Sequence, residues 1–265
     1  MKGEPRPVPS TLYDAAYFET CEGYDEFTAL AGAGISARLQ TAWDLAEVCA
    51  GQVVLDLGCG RGEVLVWGAS RGARAWGLDF SAAAVSIARQ AAIANGLGDV
   101  VHIQRGEAKA LPYANARFDR VLMLDLVEHL HPWELDCALA EVRRVLKSDG
   151  RLLIHTMPNR WYYRFGYPLY RLLRRLNGQK LPANPRERFT YHAAMHVNEQ
   201  DLLSLRASLR RAGFQARVWV TNVQPYATQH GRLGAIADRL CTLYPFKWVL
   251  CNDLFALAWP AGERT

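Results

Sequence analysis

No C-x-x-C pair occurs in the sequence; the six cysteines, Cys21, Cys49, Cys59, Cys137, Cys241 and Cys251, lie far apart. That spacing suggests neither a zinc ribbon nor a disulfide framework, so the thiols are expected to be reduced and mostly buried. No apolar run comes near the roughly 18 residues that a membrane span needs. The opening MKGEPRPVPS has no apolar core of signal-peptide type, and a cytoplasmic protein is expected. There is no internal repeat and no low-complexity tract. The formal charge of +5 is too modest to point by itself to nucleic acid or lipid. What remains is ordinary globular composition, half apolar and 22% charged over 265 residues, enough for one large α/β domain or two small ones.

From about residue 50, β-rich runs alternate with helical patterns, as in βαβ units with a parallel sheet covered on both faces. Val53 to Leu57, Arg74 to Leu78, Val100 to Arg105, Arg120 to Leu124 and Arg151 to Thr156 read as strands, and two more fit near Ala216 to Val220 and Asp253 to Ala258. Ser81 can cap a helix that stops at Asn95-Gly96. Pro132 opens another, with Leu135, Leu139, Val142 and Leu146 on one face, and Lys147 to Gly150 then makes a turn. Asn198, with Asp201 three residues on, predicts the cap of a helix carrying Leu202, Leu205 and Leu209. Residues 1–48 read as a helical, aromatic cover over a domain spanning 49–265, and 157–197 and 221–250 read as insertions into it.

The strongest signal is Val53-Val54-Leu55-Asp56-Leu57-Gly58-Cys59-Gly60-Arg61-Gly62, a buried strand running into a glycine turn and a helix. Glycines there permit positive φ and let a ligand approach bare backbone, where open α/β sheets bind ligands. Asp79 ends the second strand, 17 residues past Gly62, where a carboxylate can accept both ribose hydroxyls. A nicotinamide-dependent dehydrogenase uses the same elements, but its fingerprint is G-x-G-x-x-G, and here the third glycine comes one residue early. Asp56 and Glu63 flank the turn, poor company for a pyrophosphate and suited to a cationic amino acid moiety.

These residues resemble the first motif of the class I S-adenosylmethionine-dependent methyltransferases, closely over 50–156 and more loosely over 198–258. The resemblance implies an α/β fold with a Rossmann-like, seven-stranded, mostly parallel sheet, helices on both faces and cap insertions. It implies that Gly58 and Gly60 line the methionine part of the cofactor and that Asp79 holds its ribose. Asp56, Cys59, Phe80, Ala108 and Asp125 fall at the same site. Glu107 stands where the family has an Asp that meets the adenine amino group. A catalytically silent cofactor-binding protein is the rival reading from a different class.

Methyl transfer from a sulfonium is an in-line displacement, so such an enzyme aligns donor and acceptor and removes a proton where the acceptor is a hydroxyl. The fourth strand leads into Leu124-Asp125-Leu126-Val127-Glu128-His129-Leu130. His129 is the first candidate base, because an unperturbed imidazole titrates near ~6.5, and Glu128 stands beside it. The alternative is a histidine that fixes a loop. Asp125, Glu128 and His129 also have the i, i+3, i+4 spacing that gathers ligands on one side of a helical turn. They resemble the D/E-x-x-E-H element of metal-using relatives, the ubiquinone-pathway O-methyltransferases and small-RNA 2′-O-methyltransferases. That resemblance implies a divalent metal completed by a later histidine, His196 first and His192 in reserve.

The first insertion crowds Trp161, Tyr162, Tyr163, Phe165, Tyr167 and Tyr170 among arginines, then places Leu169, Leu172, Leu173 and Leu176 on a helical face flanked by Arg171, Arg174 and Arg175. A lid is the favoured reading. Contact with an anionic membrane surface follows it, and stacking on RNA bases comes last, so nucleic acid is not expected as a partner. The second insertion, with Leu233, Ile236, Leu240, Leu243, Tyr244, Phe246, Trp248 and Val249, is expected to pack with the first over the acceptor pocket. A small, apolar or lipid-like acceptor, methylated at oxygen, is the resulting expectation; carbon and nitrogen acceptors, a dimer interface and the oligomeric state stay open.

Overall fold

A computed structural model describes residues 3–176, 178–188 and 191–262; the side chains of 176, 192 and 227–233 lie outside the description, and with them the expectations placed on Leu176, His192 and Leu233. Three helices come first, α1 (Ala15–Thr20), α2 (Tyr24–Ala29) and α3 (Ala37–Ala46). There follow β1 (Val53–Leu57), α4 (Glu63–Ala69), β2 (Arg74–Asp79), α5 (Ala82–Ala94), β3 (Val101–Arg105), β4 (Phe118–Leu124), α6 (Pro132–Val145) and β5 (Leu146–Thr156). The first insertion holds α7 (Tyr167–Leu176) and α8 (His192–Met195). Then come α9 (Leu202–Arg211), β6 (Phe214–Thr221), α10 (Tyr226–Leu240), α11 (Phe246–Leu250) and β7 (Asp253–Pro260).

The seven strands lie in the order β3-β2-β1-β4-β5-β7-β6, and only β7 runs against its neighbours β5 and β6. Because successive strand residues point to opposite faces, Leu55 and Leu57 join α6 and α9 in one core, while Val54 packs with α3 and α4 on the other. Reversal of strand order at β1 opens a crevice at the carboxyl ends of β1 and β4, the switch point where such sheets bind ligands. No helix among the described residues is long and apolar enough to cross a membrane.

Two local expectations are corrected. Residues 147–150 do not form a separate turn but an irregular stretch of β5, because Leu146 already pairs with Phe118 and the register shifts before Arg120 meets Arg151. Lys147 Nζ, 2.7 Å from Asp119 Oδ1, holds that stretch to β4. The cap of α9 is Asp201, not Asn198: Asp201 Oδ1 accepts from the Leu203 and Ser204 amides, and Ser204 Oγ accepts from the Asp201 amide. Asn198 is left free to serve the site, since its amide and that of Val197 donate to the Glu128 carbonyl at 3.1 and 2.9 Å.

Candidate active site

The turn after β1 needs glycine for two separate reasons. Gly58 has φ +80°, and a Cβ there would lie 3.1 Å from Leu126 Cδ1; a Cβ on Gly62 would lie 2.8 Å from the Cβ of Ala88, pushing α5 away. The cleft above this turn has about 720 Å³ of free space, part of it open to solvent. Gly58, Gly60, Asp79, Phe80, Ala108 and Asp125 all line it. Asp79 Oδ2 accepts from the Gly60 amide at 3.0 Å and Oδ1 from the Ser81 amide at 2.8 Å. A carboxylate has roughly four acceptor positions, so these amides do not exhaust it. Burial pushes this carboxyl up, against the amides of Ser81, Gly60 and Phe80 that favour its charged form. Phe80 and Ala108 add apolar surface to the same cleft.

Three of the expected cofactor residues do not bring their side chains to the cleft wall. Glu107 is exposed and pairs with Lys109 at 3.3 Å, because its neighbours Gly106 and Ala108 take the inward positions. The Cys59 side chain is buried on the sheet against Gly77. Asp56 lies behind the turn with its Oδ1 buried and lacking a hydrogen-bond partner. Burial, with Glu63 and Asp79 nearby, pushes its pKa up to about 8. A raised folded-state value means the folded chain keeps a proton the unfolded chain has lost above ~3.9, so the stability contributed by this carboxyl fades as pH climbs from there through 8. Asp56→Asn is therefore expected to melt higher than the parent at alkaline pH, with the gap closing in acid; thermal melts followed by circular dichroism across that window check it.

The outer wall of the cleft comes from the N-terminal cover, through Pro7, Val8, Tyr13, Tyr17 and Phe18. Arg61, between the second and third glycines of the motif, ties that stretch down. Its guanidinium is buried, donates to the carbonyls of Phe18 and Glu22 at 2.8 Å and of Cys21 at 3.2 Å, and pairs with Glu63.

Tyr17, Asp125 and His129 line both this cleft and an inner chamber that also includes Glu128, Met157, Tyr191, His196 and Arg188. His129 sits on a 3₁₀ turn, Val127–His129, with Nδ1 2.9 Å from the Tyr13 hydroxyl. Burial, reinforced by Glu128, pushes the Tyr13 phenol up, so it acts as a neutral hydrogen-bond partner. The ring of His196 stands perpendicular to that of His129 at 4.8 Å, brought there by the amides that follow it on Glu128. Glu128 is buried and accepts from the Thr156 hydroxyl at 2.7 Å; burial pushes its carboxyl up.

Glu128, His129 and His196 each offer a ligand atom, all within 4.8 Å of one another. Asp125 is not in this group. It has φ +54°, so the helical spacing expected of it fails, and its carboxylate is taken by Arg38 and by His155 Nδ1 at 2.6 Å. His155 is buried between two carboxylates, with Nε2 3.0 Å from Asp253 Oδ1. Arg38, His155 and Asp253 were not legible as site residues, since nothing local marks them.

Among the described residues, the apolar side chains expected over the acceptor pocket line neither the cleft nor the inner chamber. Ile236, Leu243, Tyr244, Phe246 and Trp248 are exposed. The two insertions do meet: Asn159 Nδ2 donates to the Trp248 and Cys251 carbonyls at 2.8 and 2.9 Å.

The family model described as a methyltransferase domain matches residues 54–150. The ubiquinone/menaquinone biosynthesis C-methyltransferase UbiE of Methylococcus capsulatus is 33% identical over 216 residues, covering 76% of this chain and 83% of that protein. Methyltransferase GfsG of Streptomyces halstedii is 37% identical over 109 residues, 41% of this chain and 38% of GfsG, so the chain spans well under half of that relative's length. Among solved structures, geranyl diphosphate C-methyltransferase from Streptomyces coelicolor superposes with a TM-score of 0.60 at 16% identity, over 96% of this chain and 89% of that one, a likeness of fold alone. With that relative matched over three quarters of the chain, the chain belongs to the class I S-adenosylmethionine-dependent methyltransferases.

Proposed function

We propose that this enzyme methylates a hydroxyl oxygen of a small amphiphilic acceptor and that His129 removes the proton. The observation that carries this reading is the position of His129 on the wall common to the cofactor cleft and the inner chamber. When bound, S-adenosylmethionine supplies a methyl group on a positively charged sulfur. Gly58, Gly60 and Asp79 would hold it, with Phe80 and Ala108 at the purine. With its proton on Nδ1 donated to the Tyr13 oxygen, His129 keeps Nε2 as the base. Arg38 and His155 fix Asp125 at the junction. The N-terminal segment 1–48 and the insertions 157–197 and 221–250 are the parts that shape the acceptor site. Transfer of labelled methyl into an extract of the host cell, split into organic, aqueous and RNA fractions, tests the reading. Label in a small organic-extractable product supports it, and label confined to RNA removes it. Carbon, the acceptor atom in UbiE's printed name, is the competing outcome, and carbon NMR of the product separates a methoxyl from a ring methyl.

A second reading is metal-assisted, favoured by the gathering of Glu128, His129 and His196. A divalent ion held there would lower the pKa of a bound hydroxyl. Activity that survives exhaustive chelation removes that reading.

The acceptor is taken up at a membrane face by this cytoplasmic enzyme. On α7, Leu169, Leu172 and Leu173 are 47%, 54% and 43% exposed, with Arg171 and Arg175 exposed beside them and Phe165 adjoining. Leucines flanked by arginines suit the interface of an anionic bilayer. Vesicles containing phosphatidylglycerol should pull the enzyme down, less so in high salt, and Leu172→Glu with Leu173→Glu should abolish it. A parent protein that ignores such vesicles ends this part of the proposal.

A further inference from the structure

A second chamber adjoins the inner one across Glu22, Arg38, Met157 and Arg188, which line both. Tyr162 and Tyr170 of the first insertion, Asn222, Gln224 and Tyr226 at the start of the second, and Asn252 at its end complete most of its wall. Among the described residues its aliphatic members are only Met157 and Val223. Its space opens in part to solvent, and the enclosed part is about 230 Å³, room for one ring-sized group. An isoprenoid or acyl tail would find few partners here, since the apolar residues of the cap face outward.

The polar groups are not all consumed by the fold. Asp253 is: its oxygens accept from the Val223 amide at 3.0 Å and meet His155. Asn252 differs, for its side-chain carbonyl is buried and has no hydrogen-bond partner. A buried acceptor left unpaired is costly, and a half-turn of the amide, which exchanges its oxygen and nitrogen, would offer that oxygen to a ligand hydroxyl in the chamber. Tyrosines add flat apolar faces with polar edges, which suit a ring bearing hydroxyls around its rim.

We infer that the acceptor carries a hydroxyl-rich portion, a glycosyl ring or its equivalent, that fills this outer chamber while its methyl-accepting group lies at His129. The inference deepens the proposed function and rests on His129 as the point of transfer. Its consequence is selectivity, because a site built to bond hydroxyls rejects an analogue that lacks them far more strongly than an apolar pocket rejects an added one.

Two matched probes decide it: 4-hydroxyphenyl β-glucoside and 4-butoxyphenol, which share a free phenol and differ in the group opposite. Calorimetry on the enzyme saturated with S-adenosylhomocysteine should show the glucoside binding at least about tenfold more tightly, a difference of ~1.4 kcal/mol. Asn252→Leu should erase most of that preference while leaving S-adenosylhomocysteine affinity unchanged, which also certifies the fold. Gln224→Leu, at an exposed position, should narrow it in a variant whose folding is not at risk. A glucoside that binds no better than the ether, or not at all, overturns the inference, as does an Asn252→Leu variant that keeps the full preference. Methyl transfer is read separately: a glucoside bound tightly but never methylated leaves the hydroxyl-binding chamber standing and removes His129 as the point of transfer.

Discussion

Asp79→Ala should reduce S-adenosylhomocysteine affinity by ~10²- to 10⁴-fold in calorimetry. Each hydrogen bond to a charged group is worth roughly 1.5–3 kcal/mol, and a ribose diol held as proposed would make two to this carboxylate. The same side chain accepts the Gly60 and Ser81 amides, so its loss also frees the turn it organises. Asp79→Asn separates these contributions, because the amide keeps one acceptor oxygen while losing the charge; it should fall between the parent and the alanine variant. Affinity unchanged in Asp79→Ala would mean that the cleft holds the ribose by other groups.

His129→Ala should lower kcat by ~10²- to 10⁴-fold, the usual contribution of a positioned base, with S-adenosylhomocysteine affinity kept within a few-fold. A phenol acidic enough to be ionised at the assay pH needs no base, so the defect should shrink across a series of increasingly acidic acceptors. A merely structural histidine would show the same loss for every acceptor. Tyr13→Phe removes the group beside Nδ1 and should give a smaller loss of kcat, with the acid limb of the pH profile displaced. Turnover that is indifferent to His129→Ala would dismiss the imidazole as base and leave only alignment of the two substrates.

The cleft beside the glycine turn was legible in part, because the elements that form it are local, although Asp56, Cys59 and Glu107 turn away from it. Strand, glycine turn and helix follow one another from Val53, and Asp79 ends the next strand, so spacing alone carries the geometry. The pairing of His129 with His196 was readable only through a resemblance, since 67 residues separate them and two backbone amides on Glu128 bring them together. Arg38, His155 and Asp253 could not be read at all, for their partners lie across the sheet: His155 and Asp253 are 98 residues apart. The cap was misread for another reason. Composition reported that 221–250 is rich in Leu, Phe and Trp but not which way they point, and Phe246 and Trp248 turn outward. The expected turn at 147–150 failed because its polar residues fit an irregular strand edge pinned by Lys147 as well as they fit a turn.

Arg61 reaches from the glycine turn to the carbonyls of Phe18, Cys21 and Glu22, and so fastens the stretch of chain that forms the outer wall of the cofactor cleft. Were that stretch to come loose, the observed affinity for the donor would be the intrinsic one scaled by the fraction of molecules with the wall in place. Arg61→Ala, remote in sequence from the candidate base, should therefore weaken S-adenosylhomocysteine binding without touching the chemistry of transfer.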